Sequence, residues 1–216
     1  MLSNAQRTKI LLFLLDNRFH TVNEITQKTD LKNNTVSFHL GKFLKAAWVI
    51  CTVKGKFHYY RLKNAQVAAL IETMLVLAPR KEILSFTQNK VYLRLKQARV
   101  CYDHLAGELG VNLLQQLLQK KWITNTASGG LVITSHGSLQ LAQKFNISFA
   151  AFELQDTMIL ATCPDWSENK RHLKGALGRQ LLRFMFVHAW LYFPVEDSRA
   201  VALTAKGRRK FKEYFD

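Results

Sequence analysis

Apolar positions recur along this chain with two periods, and the places where the period switches mark the elements. From Thr21 to Leu31 the pattern predicts a short helix, opened by a Thr21/Glu24 capping box, ending near Thr29 and plugged by Leu31. A second helix is predicted to open at Asn33-Asn34, both good N-cap residues, with Val36, Leu40, Phe43 and Leu44 at helical spacing facing a core. That phase leaves Asn34, Thr35, Ser37, Phe38, Lys42 and Lys45 outward. Two strands follow, Trp48 to Val53 and Phe57 to Leu62, around the turn Lys54-Gly55-Lys56. Residues 64–78 then carry a stripe of Val67, Leu70, Ile71, Met74, Leu75 and Leu77, a helix expected to pack on a partner and to end at Pro79. A further helix with interleaved basic residues is expected from Ile83 to Val100 as a connector.

Beyond residue 100 the pattern repeats. His104-Leu-Ala-Gly-Glu-Leu-Gly-Val-Asn-Leu-Leu lines up with His172-Leu-Lys-Gly-Ala-Leu-Gly-Arg-Gln-Leu-Leu at an offset of 68, and Trp122 matches Trp190 at the same offset. Ile133-Thr-Ser-His-Gly then matches Leu203-Thr-Ala-Lys-Gly after a loop two residues longer in the second copy. Each copy reads as a helix pair, a hairpin strand and a closing helix, at 135–145 and 205–215. The expected fold is mainly α with small β-hairpins (α+β). It comprises a winged helix-turn-helix domain over 1–78, a connecting helix over 79–100, and a domain of two winged-helix-like repeats over 101–216.

Charge sharpens this picture. The formal charge is +16, and half of it falls in residues 1–64, where eleven Lys/Arg face three Asp/Glu; residues 101–162 are nearly neutral. A basic excess on the helix-turn-helix segment is the footprint of a protein that displaces counterions from phosphates. Short polar side chains at a helix start suit base edges in the major groove, and lysines beside them and on the hairpin tip suit the backbone. The bland alternative is a small α/β domain with a solvated basic face.

At these residues the chain resembles the ArsR/SmtB family of winged-helix regulators. The segments that carry the likeness are Asn34-Thr-Val-Ser-Phe-His-Leu, Leu44-Lys-Ala-Ala-Trp-Val and Gly55-Lys-Phe-His-Tyr-Tyr-Arg-Leu, within roughly residues 5 to 75. The resemblance implies a homodimer with the second helix in the major groove and the wing on adjacent backbone. The expected DNA-contacting set is Asn34, Thr35, Ser37, Phe38, His39, Lys42, Lys54, Lys56, His58 and Arg61. Several sensors of that family carry a cysteine pair in the first helix of the motif; Thr21-Val-Asn-Glu-Ile has none, so that metal site is absent.

Three cysteines, no secretory signal and no run of about twenty apolar residues lead to the expectation of a cytoplasmic protein without a disulfide framework or a membrane span. Cys51 reads as a buried strand residue. Cys101 and His104, read as i and i+3 on a helix, and Cys163 with His172 in the second copy would converge if the repeats pack about a pseudo-two-fold. Two thiolates and two imidazoles suit zinc or another thiophilic ion. An organic effector in an apolar pocket near Trp122, Phe149, Phe152, Trp166 and Trp190, or a purely structural role, stays open beside that reading. No Gly-rich phosphate loop, nucleophile elbow or His-Glu-x-x-His motif is present, and the chain is not read as an enzyme. The leading expectation is a sequence-specific, dimeric repressor that binds double-stranded DNA and answers to a metal, thiol or small-molecule signal. The alternative is a sequence-indifferent architectural DNA-binding protein.

Overall fold

The computed structural model describes residues 4–77, 86–149, 159–196 and 198–215. Pro79, Ile83 and Phe152 lie outside them. The chain divides into two compact units, Met1–Met74 and Leu75–Asp216.

In the first unit, Asn4 caps α1 (Ala5–Phe13) by accepting the Arg7 N–H, and a 3₁₀ turn follows at Leu14–Asp16. Strand β1 (His20–Thr21) leads into α2 (Val22–Thr29). The Thr21/Glu24 capping box forms in both directions: Thr21 Oγ1 accepts from Glu24 N, and Glu24 Oε2 accepts from Thr21 N at 2.6 Å. Asp30, in the left-handed conformation, ends α2, and half-buried Leu31 follows. Helix α3 (Asn33–Lys45) begins one residue earlier than the cap expected at Asn33-Asn34. Lys32 occupies the cap position with no side-chain bond, since an ammonium offers no acceptor, and Asn33 Nδ2 donates to Asn23 Oδ1 on α2.

Strands β2 (Val49–Lys54) and β3 (Phe57–Leu62) form the wing, and β1 adds to the far edge of β3. Lys54 pairs with Phe57, so Gly55 and Lys56 alone make the turn, and Gly55 takes the positive φ of 59° that its first central position requires. Ile10, Leu11, Ile25, Val36, Leu40, Phe43, Val49 and Leu62 form the buried interior. Leu44 departs from expectation at 39% exposed. Ala47 (φ 56°) turns the chain at the end of α3, and Trp48 stacks parallel to Phe43 in its place. Helix α4 (Ala65–Leu77) buries Ala68, Ile71 and Glu72 but leaves Leu70, Met74 and Leu77 exposed.

The second unit opens with α5 (Phe86–Gln97), shorter than the connector expected to reach Val100. The next residues are not helical. Strands β4 (Arg99–Cys101) and β5 (His104–Ala106) form a hairpin whose turn is Tyr102-Asp103, with Tyr102 at φ 60°. The order hairpin, helix, hairpin, helix then runs through α6 (Gly107–Gln119), β6 (Ile123–Asn125), β7 (Leu131–Ile133) and α7 (Ser135–Phe145). It recurs in β8 (Ala161–Pro164), β9 (Arg171–Lys174), α8 (Gly175–Val187), β10 (Leu191–Tyr192), β11 (Ala202–Leu203) and α9 (Ala205–Phe215). The expected helix pair at the start of each copy is thus a hairpin followed by one helix. Glycines at positive φ, Gly107 and Gly175, hold the helix start back to that point.

One local device closes a helix three times. A residue in the left-handed conformation (Ala47, Lys121, Ala189) follows α3, α6 and α8. A tryptophan comes next, whose N–H returns to the helix: Trp48 to Phe43, Trp122 to Leu117, Trp190 to Met185. The tryptophan carbonyl then accepts from the residue after the hairpin, Lys63, Thr134 or Thr204. Left-handed closure satisfies the helix's last carbonyls and aims the chain back along it. Trp122, Phe145, Phe184, Trp190 and Phe215 pack ring against ring in the core of the second unit.

Candidate functional site

Seven of the ten residues expected at DNA are exposed: Asn34, Ser37, Phe38, Lys42, Lys54, Lys56 and His58. Phe38 is 60% exposed, with Lys42 Nζ 4.5 Å above its ring. Ser37, Lys56 and His58, with Thr21, Asn23 and Tyr60, line a groove of about 360 Å³ between the helix-turn-helix and the wing. Thr35 is half-buried. Arg61 is half-buried too; its guanidinium donates to Asn17 Oδ1 and lies 4.7 Å over the Phe19 ring. His39 is the departure: it is buried, 3.4 Å from Gln6 Oε1 on α1, so it sits in the interior rather than on the outward face. Burial, then the nearby charges of Arg7 and Lys42, lower its pKa. Cys51 is half-buried rather than buried, 3.6 Å from His58 Nδ1.

The second unit brings Cys101, His104, Cys163 and His172 together. All four are buried, and their ligand atoms lie within 4.8 Å of one another. The expected helical i, i+3 relation of Cys101 and His104 is replaced by a cross-strand pair: Cys101 faces His104 across one hairpin, and Cys163 faces His172 across the other. Directly opposed residues of an antiparallel pair share a face, so the hairpin delivers the same neighbours that the helix would have. Two glycines let the hairpins meet. A Cβ on Gly178 of α8 would lie 3.2 Å from His104 Cβ, and one on Gly110 of α6 would lie 3.6 Å from His172 Cβ. Each copy's helix thereby packs on the other copy's histidine.

The imidazoles are aimed from behind by carboxylates. Asp103 Oδ1 lies 3.0 Å from His104 Nδ1, and Asp165 Oδ2 lies 2.9 Å from His172 Nδ1. With a proton on each Nδ1, both Nε2 atoms present lone pairs to each other at 3.2 Å. Two lone pairs so close repel unless a proton or a cation stands between them. Tetrahedral zinc, with Zn–N of about 2.0–2.1 Å, sets its two nitrogens about 3.3 Å apart, close to this spacing. Carboxylate–histidine pairs are also the usual outer shell that fixes a metal-binding imidazole.

Electrostatics favour a charged centre. Burial works against the imidazolium of His104, but Asp103 and Cys163 outweigh it and raise its pKa. A hydrogen bond from Cys101, against burial and with help from His104 and His172, holds the Cys163 thiol far below its ordinary value. Burial would raise Asp165, yet His172, Arg99 and the Gly107 N–H hold it low. All four donors are buried, an arrangement suited to enclosing an ion rather than presenting it to a substrate.

The sequence did not assign Asp165, Arg99 or Ser167 to this centre. Arg99 Nη2 lies 3.0 Å from Asp165 Oδ1 with both side chains fully buried, Ser167 Oγ donates to the same Asp165 oxygen, and Gly107 N donates to Asp165 Oδ2 at 2.7 Å. Trp166 lies under the Arg99 guanidinium at 4.4 Å, and Trp122 and Trp190 are core; none of these three lines the apolar cavity beside α6. That space, about 740 Å³, is walled by aliphatic Val111, Leu114, Leu118, Leu131 and Leu160 with Arg171 at its rim.

Among the described residues no helix is long and apolar enough to cross a membrane. No family model matches the chain. Among solved structures it is similar to the homodimeric winged helix-turn-helix DNA-binding domain of Mb0332 from Mycobacterium bovis, a possible ArsR-family transcriptional regulator. That likeness has 28% identity and a TM-score of 0.33 and covers 35% of this chain and 69% of that one. It is also similar to reduced HlyU from Vibrio cholerae N16961, at 26% identity and a TM-score of 0.33, over 37% of this chain and 82% of that one. Over all 216 residues it is 33% identical to YdfF of Bacillus subtilis (strain 168), an uncharacterized HTH-type transcriptional regulator, and the match covers 94% of that protein. Identity sustained along the whole length, together with the helix-turn-helix and wing of the first unit, establishes that the chain belongs to the HTH-type transcriptional regulators.

Proposed function

We propose that the protein is a homodimeric, sequence-specific DNA-binding repressor whose affinity for its operator is set by a divalent ion of the zinc class held by Cys101, His104, Cys163 and His172. The observation that carries the metal reading is the convergence of four buried donors with two Nε2 atoms 3.2 Å apart. Charge selects the class of ion. Two thiolates with Asp103 and Asp165 supply four negative charges, and Arg99 and Arg179, beside those carboxylates, return two. Counting the exposed Arg179 with the buried Arg99, a dication offsets the remaining two charges and a monovalent ion only one of them; leaving net charge on largely buried groups is costly. The exposed face of Ser37, Phe38 and Lys42 and the lysine-tipped wing support DNA contact. The exposed Leu70, Met74 and Leu77 of α4 support a second copy as the partner of that helix.

Fluorescence anisotropy at physiological salt, against the protein's own upstream DNA and a shuffled duplex, tests this reading. A preference of about a thousandfold or more is expected for a specific regulator. Repeating the titration with zinc and then with a chelator should change the affinity for the upstream duplex only. Equal binding to both duplexes would instead favour a sequence-indifferent architectural protein, a reading for which the +16 charge speaks.

A further inference from the structure

The two carboxylates behind the histidines are anchored differently. Asp103, behind His104, meets Arg179 on α8, a guanidinium 61% exposed, at 3.3 Å. Asp165, behind His172, meets Arg99, which is fully buried. Arg99 reaches on from there: Nη1 donates to Ser167 Oγ at 3.1 Å and to the Leu95 carbonyl in the last turn of α5 at 3.2 Å. Tyr92 of α5 also packs on Trp166, whose ring lies under the Arg99 guanidinium. An unbroken run of polar contacts thus joins the His172 imidazole to the C-terminal end of α5. Helix α5 is the first described element that lies wholly in the second unit, and in chain order it follows α4, whose last residues cross the boundary.

We propose that Arg99 is a positioning residue that couples occupancy of the Cys/His centre to the last turn of α5, and so to DNA affinity. The inference rests on the metal reading above. A cation drawn between the two Nε2 atoms fixes the His172 ring and pins Asp165. The planar guanidinium, whose donors are rigidly disposed, holds the Leu95 carbonyl in register with that carboxylate. Without the cation, and with no proton between them, the two Nε2 atoms repel, His172 and Asp165 shift, and the Arg99 contact to Leu95 is what passes the shift to α5. The His104 branch ends at an exposed side chain on α8 and carries no such message. Coupling between binding sites commonly amounts to about 5- to 150-fold in affinity.

The test compares the full-length wild type with Arg99→Lys, which keeps the buried positive charge but lacks the fork. Ser167→Ala is a milder variant that keeps both charges. Three quantities are read: zinc stoichiometry by competition with a chromophoric chelator, the ratio of DNA affinities with saturating zinc and with chelator, and hydrogen exchange of the amides of residues 94–97. Wild type should bind one zinc per chain, show a ratio of about tenfold or more, and gain protection in those amides with zinc. Arg99→Lys should still bind one zinc but bring the ratio to within about twofold of unity and lose the zinc-dependent protection; Ser167→Ala should lower the ratio by about threefold. An Arg99→Lys protein that binds zinc and keeps the wild-type ratio and protection overturns the coupling. Should Arg99→Lys not fold, an unchanged ratio in Ser167→Ala does so. If the wild type itself binds no zinc, the metal reading fails, and this inference with it.

Discussion

Single residues decide how closely the elements approach, and glycine is the clearest case. Gly178 lies where a Cβ would crowd both His104 and the Leu173 carbonyl, at 3.2 and 3.0 Å. Gly178→Ala should therefore cost about 1–3 kcal/mol through overpacking, seen as a lower thermal midpoint. Gly41, in the middle of α3, has open space where its Cβ would go. Gly41→Ala should instead raise stability by about 0.5–1 kcal/mol, the ordinary gain from replacing a helical glycine. A Gly41→Ala protein that melts earlier than wild type would contradict the described packing. At the DNA face, Lys54→Ala and Lys56→Ala should weaken binding to every duplex and lower the salt slope by about one each, whereas Ser37→Ala should narrow the gap between operator and shuffled DNA. Equal effects of all three on every sequence would argue against base reading by α3.

The four candidate ligands were legible at this scale because the repeat aligned His104 with His172 and put a cysteine upstream of each. Arg99 and Asp165 were not. A buried ion pair between residues so far apart in sequence has no local signature, since either side chain would read as solvated. His39 misled for a related reason: it lies inside a segment of outward-facing polar residues, yet it is buried, with Gln6 of α1 beside its ring.

Among the elements, those with a local cause behaved as their sequence implies. The Thr21/Glu24 capping box is complete, and Thr21→Ala should cost about 1 kcal/mol. That cost should appear as roughly fivefold faster hydrogen exchange in residues 22–29, if those amides exchange by opening of this unit. The wing turn and the closing helices α7 and α9 follow from a Gly at positive φ and from Thr-x-x-Gly starts, where Thr134 and Thr204 accept the N–H of Gly137 and Gly207. The stretch around Cys101 did not follow. Its apolar residues fit a helix or a strand equally well, and a two-stranded hairpin is stable only where something covers it. That cover is supplied from far along the chain: Val100 N donates to the Arg199 carbonyl, and Val201 N donates to the Ala98 carbonyl.

For the whole molecule, a metal bound only by the folded chain must stabilise it. Free zinc at a hundred times its dissociation constant should add about 2.7 kcal/mol to the second unit, raising its thermal midpoint. Cys163→Ser should abolish that rise while leaving the first unit's transition in place, as expected of a chain that divides into two compact units. What the sequence by itself determined is the set of locally governed features: the capping box of α2, the wing and its tight turn, and the Thr-x-x-Gly starts of α7 and α9. Each depends on spacing along the chain, which the covalent backbone carries unaided. The tertiary structure alone decided that Cys101 and His104 oppose each other on a hairpin, that two imidazole nitrogens meet 3.2 Å apart, and that Arg99 ties one of them to α5. Those facts depend on contacts between segments distant in sequence, and such contacts exist only once the core has brought the segments together and excluded water from them.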